Sequence, residues 1–391
     1  MLCFFRKMYL CNQKNQSKQV DFENNTKSNP LSQMKHTGVC AQGLACPIIR
    51  EGDDLAAIVV DSVLSAVKTA SNQYEICNKA VVGITESIVA RSQGNYATVD
   101  DIANDVRAKF GPDATIFIVK PIYSRNRFAI ILRGIARAAK KIVLIMPDVD
   151  EVGNVVKGHP FTNVNYDEYY AEICEQEGAS VSIFKDLSPV GKVDEDLNVI
   201  IGNLHGYDEA KELYKGCRVY TLADLLSDRC EFGVLGSNKS DEERIKLFPN
   251  KQKATQLVLE IQKRLREATG KEIYIGVYGD GCFKDPVGGI WEFADPVSMP
   301  AYTNPEVFEG TPNELKVKAL ADDKFRHLNG EELLNAIDNE IATKNNNLKG
   351  SMQSQGTTPR LYRDLLASLM DLISGSGDRC TPIVLIQNYF R

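Results

Sequence analysis

The chain has 391 residues, which is long for a single hydrophobic core, so we expect two domains. Hydrophobic residues make up 43% and charged residues 25% of the chain, and this composition excludes disorder along its whole length. The net charge of −6 argues against a nucleic-acid-binding protein, because such proteins usually carry an excess of basic residues.

Cysteines, histidines and apolar runs predict a soluble cytoplasmic protein without a zinc site. The ten cysteines include no Cys-x-x-Cys pair, and the four histidines lie far apart, so we expect reduced thiols and no zinc. No apolar run reaches the ~18–20 residues that cross a bilayer, and the first residues lack the pattern of a signal peptide. Residues 12–37 are rich in Asn, Gln, Ser and Lys. Residues 1–37 are therefore predicted to be a disordered tail, or an over-extended start whose true initiator is Met34.

The first predicted elements lie between residues 47 and 113. An apolar stripe from Leu55 follows two aspartates and predicts a helix. Residues 80–84 predict a buried strand. Thr98 and Asp101 have the spacing of a capping box, which predicts a second helix that runs to Phe110.

Residues 114–222 alternate between strand and helix patterns, which is typical of parallel β/α units. We predict that this block is a domain inserted into a core made of residues 38–113 and 223–391. The strands are predicted over 115–119, 141–146, 180–184, 198–201 and 218–220, and the helices over 128–140, 166–177 and 208–215.

Beyond residue 222 the patterns predict several helices, two strands and one Pro-rich ordered loop at 294–312. Pro359 is predicted at the first turn of the last helix. The helices are predicted near 241–247, 251–268, 313–325 and 330–343, and the strands over 272–278 and 382–387.

The segment 278–291 is the strongest candidate for an active-site loop. Asp280 comes just after a predicted strand and is framed by Gly279 and Gly281, a setting that suits a metal ion or a metal-bound phosphate. Lys284 can neutralise phosphate oxygens. The alternative is a Gly-rich turn in which Asp280 and Asp285 are solvated.

Three further segments offer weaker anion-binding patterns. Residues 233–239 could cradle a phosphate, although they lack the Walker A spacing and a helix-capping turn would look the same. Residues 354–359 carry hydroxyls that can cap a helix or bind an anion. Residues 124–127 place two arginines at a helix start, where they could hold an acidic substrate.

Five segments of the chain occur in an order that resembles the coenzyme F-420 γ-glutamyl ligase family, and in particular a longer bacterial subgroup of it. The resemblance extends from residue 38 onward. Its motifs are 47–55, 82–94, 233–238, the Asp280 loop and 364–371.

The resemblance implies a mixed α/β (α+β) fold, a γ-glutamyl-ligase-like domain with the inserted parallel β/α domain. It implies that GTP or ATP, with Mg²⁺ or Mn²⁺, activates a carboxylate of a deazaflavin precursor as an acyl phosphate, which the amine of L-glutamate then attacks. It also implies a homodimer. Such chemistry consists mostly of positioning and charge neutralisation.

Carried over by position, the resemblance implies a nucleotide site and a metal site. Arg91 stands where the family usually has a lysine, and Asp280 corresponds to a metal-binding aspartate. The residues predicted to bind the nucleotide, including Lys284 from its own chemistry, are Cys46, Pro47, Ile48, Ile49, Arg91, Asn238, Lys284, Gly356 and Thr357.

Two residues depart from the family pattern at the metal site. Leu235 occupies the place of a second metal-binding aspartate, and Gly281 replaces a threonine ligand. Leucine cannot coordinate a metal, so we expect a rebuilt shell that uses Asp285 or Glu231, or weaker metal binding.

Three functional hypotheses follow. The first is a γ-glutamyl ligase that acts on a carboxylate-bearing cofactor. The second is a folate polyglutamate ligase, because a pterin conjugate needs the same chemistry. The third is a non-catalytic nucleotide-binding protein that has lost a metal ligand.

Overall fold

A computed structural model of the chain describes side chains and backbone for most of the residues from 38 to 390. The described residues are 38–69, 71, 73–124, 127–148, 158, 162–186, 197–202, 212, 214, 216–279, 299–310, 316–343, 361–374 and 381–390, with the backbone alone of 281–284 and 291–294. They fall into two compact units, one formed by 38–313 with 356–391 and the other containing 314–355. The predicted tail at 1–37 lies outside the described residues.

The first unit contains a mixed five-stranded sheet, in the order β1-β15-β2-β11-β14. Only β2 and β11 are parallel to each other, and the other neighbours are antiparallel. The strands are β1 (Cys40–Leu44), β2 (Ala80–Thr85), β11 (Ile273–Tyr278), β14 (Ala301–Tyr302) and β15 (Ile383–Gln387).

Helices cover both faces of this sheet, because successive residues of a strand point to opposite sides. Val82 and Ile275 pack with α1 (Leu55–Val67) and α6 (Lys251–Thr269), whereas Val81 and Tyr274 pack on the other face. That second face is covered by α7 (Pro305–Phe308) and α10 (Tyr362–Ser374).

Two glycines make room for the helix and loop on the second face. Gly83 and Gly276 are direct partners in the parallel pair of β2 and β11. A Cβ atom at Gly83 would lie 2.1 Å from Sδ of Met370, and one at Gly276 would lie 2.5 Å from Sδ of Met299. The missing side chains therefore allow both methionines to pack directly on the sheet.

A second five-stranded sheet is parallel throughout, in the order β6-β5-β4-β7-β8. This is the strand order of a doubly wound sheet. The strands are β4 (Ala114–Val119), β5 (Ala139–Ile145), β6 (Ser180–Phe184), β7 (Asn198–Ile201) and β8 (Arg218–Thr221). The prediction of parallel β/α units in this part of the chain is confirmed.

Three helices pack with the second sheet, and they are α3 (Val99–Phe110), α4 (Phe128–Ala138) and α5 (Tyr166–Gln176). α3 shares its core with this sheet although it precedes residue 114. The capping box is present as predicted, since Thr98 and Asp101 each accept a hydrogen bond from the other's backbone N–H. The helix predicted over 208–215 lies almost entirely outside the described residues.

A short helix and a small antiparallel sheet connect these parts. The helix is α2 (Glu86–Ser92), which directly follows β2. The sheet has the order β3-β10-β9, with β3 (Tyr96–Thr98), β9 (Asn238–Lys239) and β10 (Arg244–Lys246).

The helix predicted near 241–247 is wrong, because this segment forms the hairpin between β9 and β10. Asp241 accepts a hydrogen bond from the backbone N–H of Glu243 and pairs with Arg244. The backbone N–H groups of Ser240 and Asp241 both donate to the carbonyl of Arg244. An aspartate side chain that bonds its own backbone in this way favours a turn over a helix.

The remaining part of the first unit matches the predictions at its long helix and differs from them in its short elements. α6 ends at Gly270, whose φ of +68° is the left-handed conformation that favours glycine. β12 (Gly281–Lys284) pairs antiparallel with β13 (Trp291–Ala294), although the sequence predicted no strands in the segment 278–291 beyond the end of β11. The loop predicted at 294–312 includes the short elements β14 and α7. The start of the last helix at Pro359 lies outside the described residues.

The second unit contains α8 (Val317–Ala319), a π-helical turn (Leu320–Lys324) and α9 (Gly330–Thr343). Within it, Lys324 pairs with Glu340 of α9 at 2.7 Å. In the part of the chain that the structure describes, no helix has the length and apolar character needed to cross a membrane.

Candidate functional site

The C-terminal ends of β2 and β11 form the edge at which the predicted site begins. The two strands are parallel and in register, so that Thr85 lies opposite Tyr278. The chain continues into Glu86 on one strand and into Gly279 on the other. Loops at the carboxyl ends of parallel strands are where α/β sheets usually bind ligands. Asp280 is the next residue along the chain.

Gly279 touches Glu86 across this edge. A Cβ atom built on Gly279 would lie 1.9 Å from Cγ of Glu86, so any added side chain would force Glu86 to move. The absence of a side chain at Gly279 therefore serves the contact with Glu86, whereas the sequence suggested an approach to a ligand.

Glu86 is itself held by a buried ion pair. Both of its carboxylate oxygens lie 2.7 Å from Nζ of Lys246, and both side chains are at least 90% buried. Lys246 is the last residue of β10, where it lies between Tyr96 of β3 and Asn238 of β9. The pair thus links the small sheet to the edge of the main sheet.

Asn238, one of the predicted nucleotide contacts, is half-buried and lies directly opposite Lys246 in the hairpin. Through Lys246, Glu86 and Gly279, it is connected to the strand end that precedes Asp280. Two segments that the sequence singled out separately therefore share one neighbourhood.

The turn before Asn238 is packed more tightly than a phosphate cradle requires. The backbone N–H groups of Gly233, Val234, Leu235 and Ser237 donate to carbonyls of neighbouring residues, so they are not available to an anion. The ring of Phe248 also fills the space beside Gly236, where a Cβ atom would lie 2.5 Å from Cδ2 of that ring.

Leu235, which occupies the place of a second metal ligand, and Glu231, a possible replacement for it, do not form a metal site. Leu235 is 2% exposed and packs in the apolar core. Glu231 is exposed and pairs with Lys251 at 3.0 Å. Among the described residues, no group of three or more His, Cys, Asp or Glu side chains could hold a metal ion.

The predicted nucleotide-binding residues 46–49 lie near the far end of α2. Nε of Arg91 donates to the carbonyl of Ile49 at 3.1 Å, which ties this segment to the helix. Ile49 is buried, whereas Ile48 is 80% exposed. Cys46 and Pro47 precede them, and the Cys46 thiol donates to the Pro47 carbonyl at 3.3 Å.

The helix α2 lies between the Glu86–Lys246 ion pair and the segment 46–49 that contacts Arg91. Glu86 and Arg91 are five residues apart on one helix, which corresponds to about 7.5 Å along its axis. The helix therefore carries the ion pair at one end and the guanidinium at the other. Both ends lie within reach of a ligand the size of a nucleotide.

Several predicted site residues lie outside the described residues. These are Asp280, Asp285, Gly356 and Thr357, and only the backbone of Lys284 is described, in β12 opposite Trp291. Their roles stay predictions.

Two buried groups, the Tyr278 phenol and the Cys230 thiol, keep their protons at neutral pH. Burial raises the pKa of Tyr278 to about 12, so its phenol stays protonated. Burial also raises the pKa of the Cys230 thiol, which makes that cysteine a poor nucleophile.

The sequence did not reveal the Glu86–Lys246 pair, although both residues carried a signal. Glu86 lies inside the quoted motif 82–94, directly after a buried strand. Lys246 lies within an apolar run whose neighbours, Ile245 and Leu247, are fully buried. The helix wrongly predicted over 241–247 gave no reason to expect a buried lysine there.

The chain matches the model of a known protein family. A family model described as F420-0:gamma-glutamyl ligase matches residues 43–388, nearly the whole chain. A search of curated proteins finds no match.

Proposed function

The chain belongs to the F420-0:gamma-glutamyl ligase family, and from that premise we propose that it joins L-glutamate to a carboxylate of a cofactor such as the F-420 precursor. The family match carries this proposal. A second observation supports it, since the contacts at one end of the sheet link Asn238 to Gly279 through Lys246 and Glu86.

The proposed reaction has two steps, phosphorylation of the acceptor carboxylate and attack by the amine of L-glutamate. A carboxylate oxygen of the acceptor attacks the γ-phosphorus of GTP or ATP, and the bond to the β-phosphate oxygen breaks to release the nucleoside diphosphate. The amine of L-glutamate then attacks the acyl carbon, phosphate leaves, and the nitrogen loses a proton as the amide forms. Both steps need aligned reactants and neutralised phosphate charge.

Arg91 of α2 and residues of two neighbouring segments are proposed to bind the nucleotide. The backbone of 46–49, which Arg91 holds in place, would line one side, and Asn238 would lie on the other. Arg91 is an exposed residue, and its guanidinium carries N–H donors besides Nε, so it can also face a phosphate. Lys284, Gly356 and Thr357 are proposed to complete this site.

A divalent ion, Mg²⁺ or Mn²⁺, would supply charge neutralisation at the phosphates. The described residues do not by themselves fit such an ion, since Leu235 lies in the core and Glu231 is engaged by Lys251. Asp280 and Asp285 are therefore the proposed ligands. The family resemblance further suggests a homodimer, which light scattering of the purified protein would test.

Incubation of the purified protein with radiolabelled L-glutamate, GTP or ATP, Mg²⁺ or Mn²⁺ and a panel of acceptors tests the proposal. We expect nucleotide- and metal-dependent transfer of glutamate to the deazaflavin acceptor. The acyl phosphate predicts that oxygen-18 in the acceptor carboxylate appears in the released phosphate.

The same experiment separates the alternatives. If glutamate is transferred to folate but not to the deazaflavin, the acceptor is folate and the protein is a folate polyglutamate ligase. Nucleotide binding without turnover on every acceptor would favour a non-catalytic nucleotide-binding protein, a hypothesis to which the buried Leu235 lends some support.

A further inference from the structure

The pair formed by Glu86 and Lys246 is unusual because both charges are buried. Their side chains are 6% and 10% exposed, and Nζ of Lys246 lies 2.7 Å from both carboxylate oxygens. By contrast, the pair formed by Lys239 and Glu242 in the same hairpin is 31% and 82% exposed.

Stability alone does not account for such a pair. Removing two charges from water costs free energy that their mutual attraction often fails to recover, and apolar residues of similar size are frequently as stable or more so. A surface pair such as Lys239–Glu242 has no comparable cost. A buried pair is better explained where a defined orientation of its side chains matters.

The orientation of Glu86 matters because its methylene groups press on Gly279. The ideal Cβ position of Gly279 is 1.9 Å from Cγ and 2.5 Å from Cβ of Glu86. The carboxylate of Glu86 contacts Lys246 while its Cβ and Cγ lie against Gly279, so one side-chain conformation serves both contacts. Lys246 is fixed in turn, since its strand pairs on both sides, with β3 and with β9.

We propose that the Glu86–Lys246 pair is a positioning device that holds the end of β11, at Gly279, at a fixed place relative to Asn238. The proposal rests on the proposed function, because it gives Asp280 and Asn238 their roles. Glu86 and Lys246 are positioning residues in it and do not touch the substrate.

A double-mutant cycle in the full chain tests this role. Glu86→Gln and Lys246→Met each remove one charge at nearly constant size. Each should lower kcat for glutamate transfer by between ~10-fold and ~100-fold, as expected for small misplacements of reacting groups, with KM for glutamate unchanged. The double variant should be no worse than the poorer single variant, because either change alone already releases Gly279.

Lys239→Met is the matched control, since it removes a lysine from the exposed pair of the same hairpin. It should leave kcat and both KM values unchanged. Gly279→Ala alters the other side of the contact and should lower kcat as Glu86→Gln does, without adding to it.

Two kinetic results would overturn the proposal. If the fold-decreases in kcat of Glu86→Gln and Lys246→Met multiply in the double variant, the two residues act independently. A raised KM for the nucleotide in Lys246→Met alone would mean that Lys246 binds phosphate directly.

Hydrogen exchange provides a readout that does not depend on activity. Amides of residues 276–279 should exchange at least ~10-fold faster in Glu86→Gln and Lys246→Met than in the parent and in Lys239→Met, because the strand end is released. Unchanged exchange in folded single variants would also overturn the proposal. If the parent transfers no glutamate to any acceptor, the proposed function fails, and the exchange result still decides whether the pair holds Gly279.

Discussion

Asp280 is the single residue on which the proposed ligation most directly depends. It follows Gly279 at the end of β11, and it is one of two carboxylates proposed to bind the metal. We predict that Asp280→Asn abolishes glutamate transfer and leaves the far-ultraviolet circular dichroism and the melting temperature unchanged, since the amide is a weak ligand for a hard cation.

Glu231→Gln is the appropriate control for Asp280→Asn. Glu231 is an exposed carboxylate that pairs with Lys251, and its loss should leave glutamate transfer intact. An active Asp280→Asn variant would show that the metal is bound elsewhere.

Asp101 makes a different residue-scale contribution, through stability. Its hydrogen bond with Arg229, together with bonds from Thr98, lowers its pKa from 3.8 to about 2. Because the folded-state pKa is depressed, the stabilisation is present above about pH 4 and is lost as the pH falls toward about 2.

Asp101→Asn should therefore lower the free energy of unfolding at neutral pH by about 1–2 kcal/mol. The difference from the parent should shrink in urea titrations below about pH 4. Asp100→Asn, which changes the adjacent exposed carboxylate, should cost less than about 1 kcal/mol at any pH. A difference for Asp101→Asn that stays constant with pH would contradict the depressed pKa.

Residue-scale features could be predicted where their partners are close in sequence. Thr98 and Asp101 are three residues apart, and the capping box follows from their spacing. Glu86 and Lys246 are 160 residues apart, so no local pattern brings them together. The same holds for Arg91, whose partner Ile49 is 42 residues away.

At the scale of elements, the docking of α10 on β2 depends on a missing side chain. A Cβ atom at Gly83 would lie 2.1 Å from Sδ of Met370, so the helix can approach only because Gly83 has none. Gly83→Ala should lower the free energy of unfolding by about 1–3 kcal/mol, as expected for overpacking a dense core.

The change Met370→Ala provides the test of that explanation. In a Met370→Ala background, Gly83→Ala should cost less than it does in the parent, because the space is then open. The loss in free energy of unfolding is measured by urea denaturation. If Gly83→Ala causes the same loss in both backgrounds, the contact with Met370 is not its cause.

Most long elements followed from periodicity, whereas short elements such as β3, β14 and α7 were not predicted, because two to four residues are too few to show a period. The buried strands β2 and β11 and the long helix α6 were predicted nearly to their ends, because each is a strongly patterned run. The segment 241–247 was misassigned because its acidic start and apolar end also suit a helix. The hydrogen bond that the Asp241 side chain accepts and the pairing of β9 with β10 instead stabilise a hairpin.

At the scale of the whole molecule, the fold class could be predicted but the pairing of strands could not. Alternating strands and helices indicated a parallel sheet, and β4–β8 form one. Nothing local indicated that β15 lies between β1 and β2.

The position of β15 between β1 and β2 yields a prediction about truncation. A chain that ends at Pro382 lacks the strand that joins β1 to β2, and we expect it to be unfolded or insoluble when expressed. A chain that starts at Gly38 should fold with an unchanged melting temperature, since residues 1–37 are predicted to build no core. A folded chain ending at Pro382 would show that β1 is dispensable as well.

The position of β15 also constrains the order of events during synthesis. Cys40 pairs with Gln387 and Ile84 with Ile383, so the ribosome must deliver almost the entire polypeptide before the main sheet can close. Contacts so distant along the chain slow folding, and until they form β1 and β2 present unpaired edges. We therefore expect the nascent chain to be a chaperone client, whereas the doubly wound block of β4–β8 can assemble earlier from nearer neighbours.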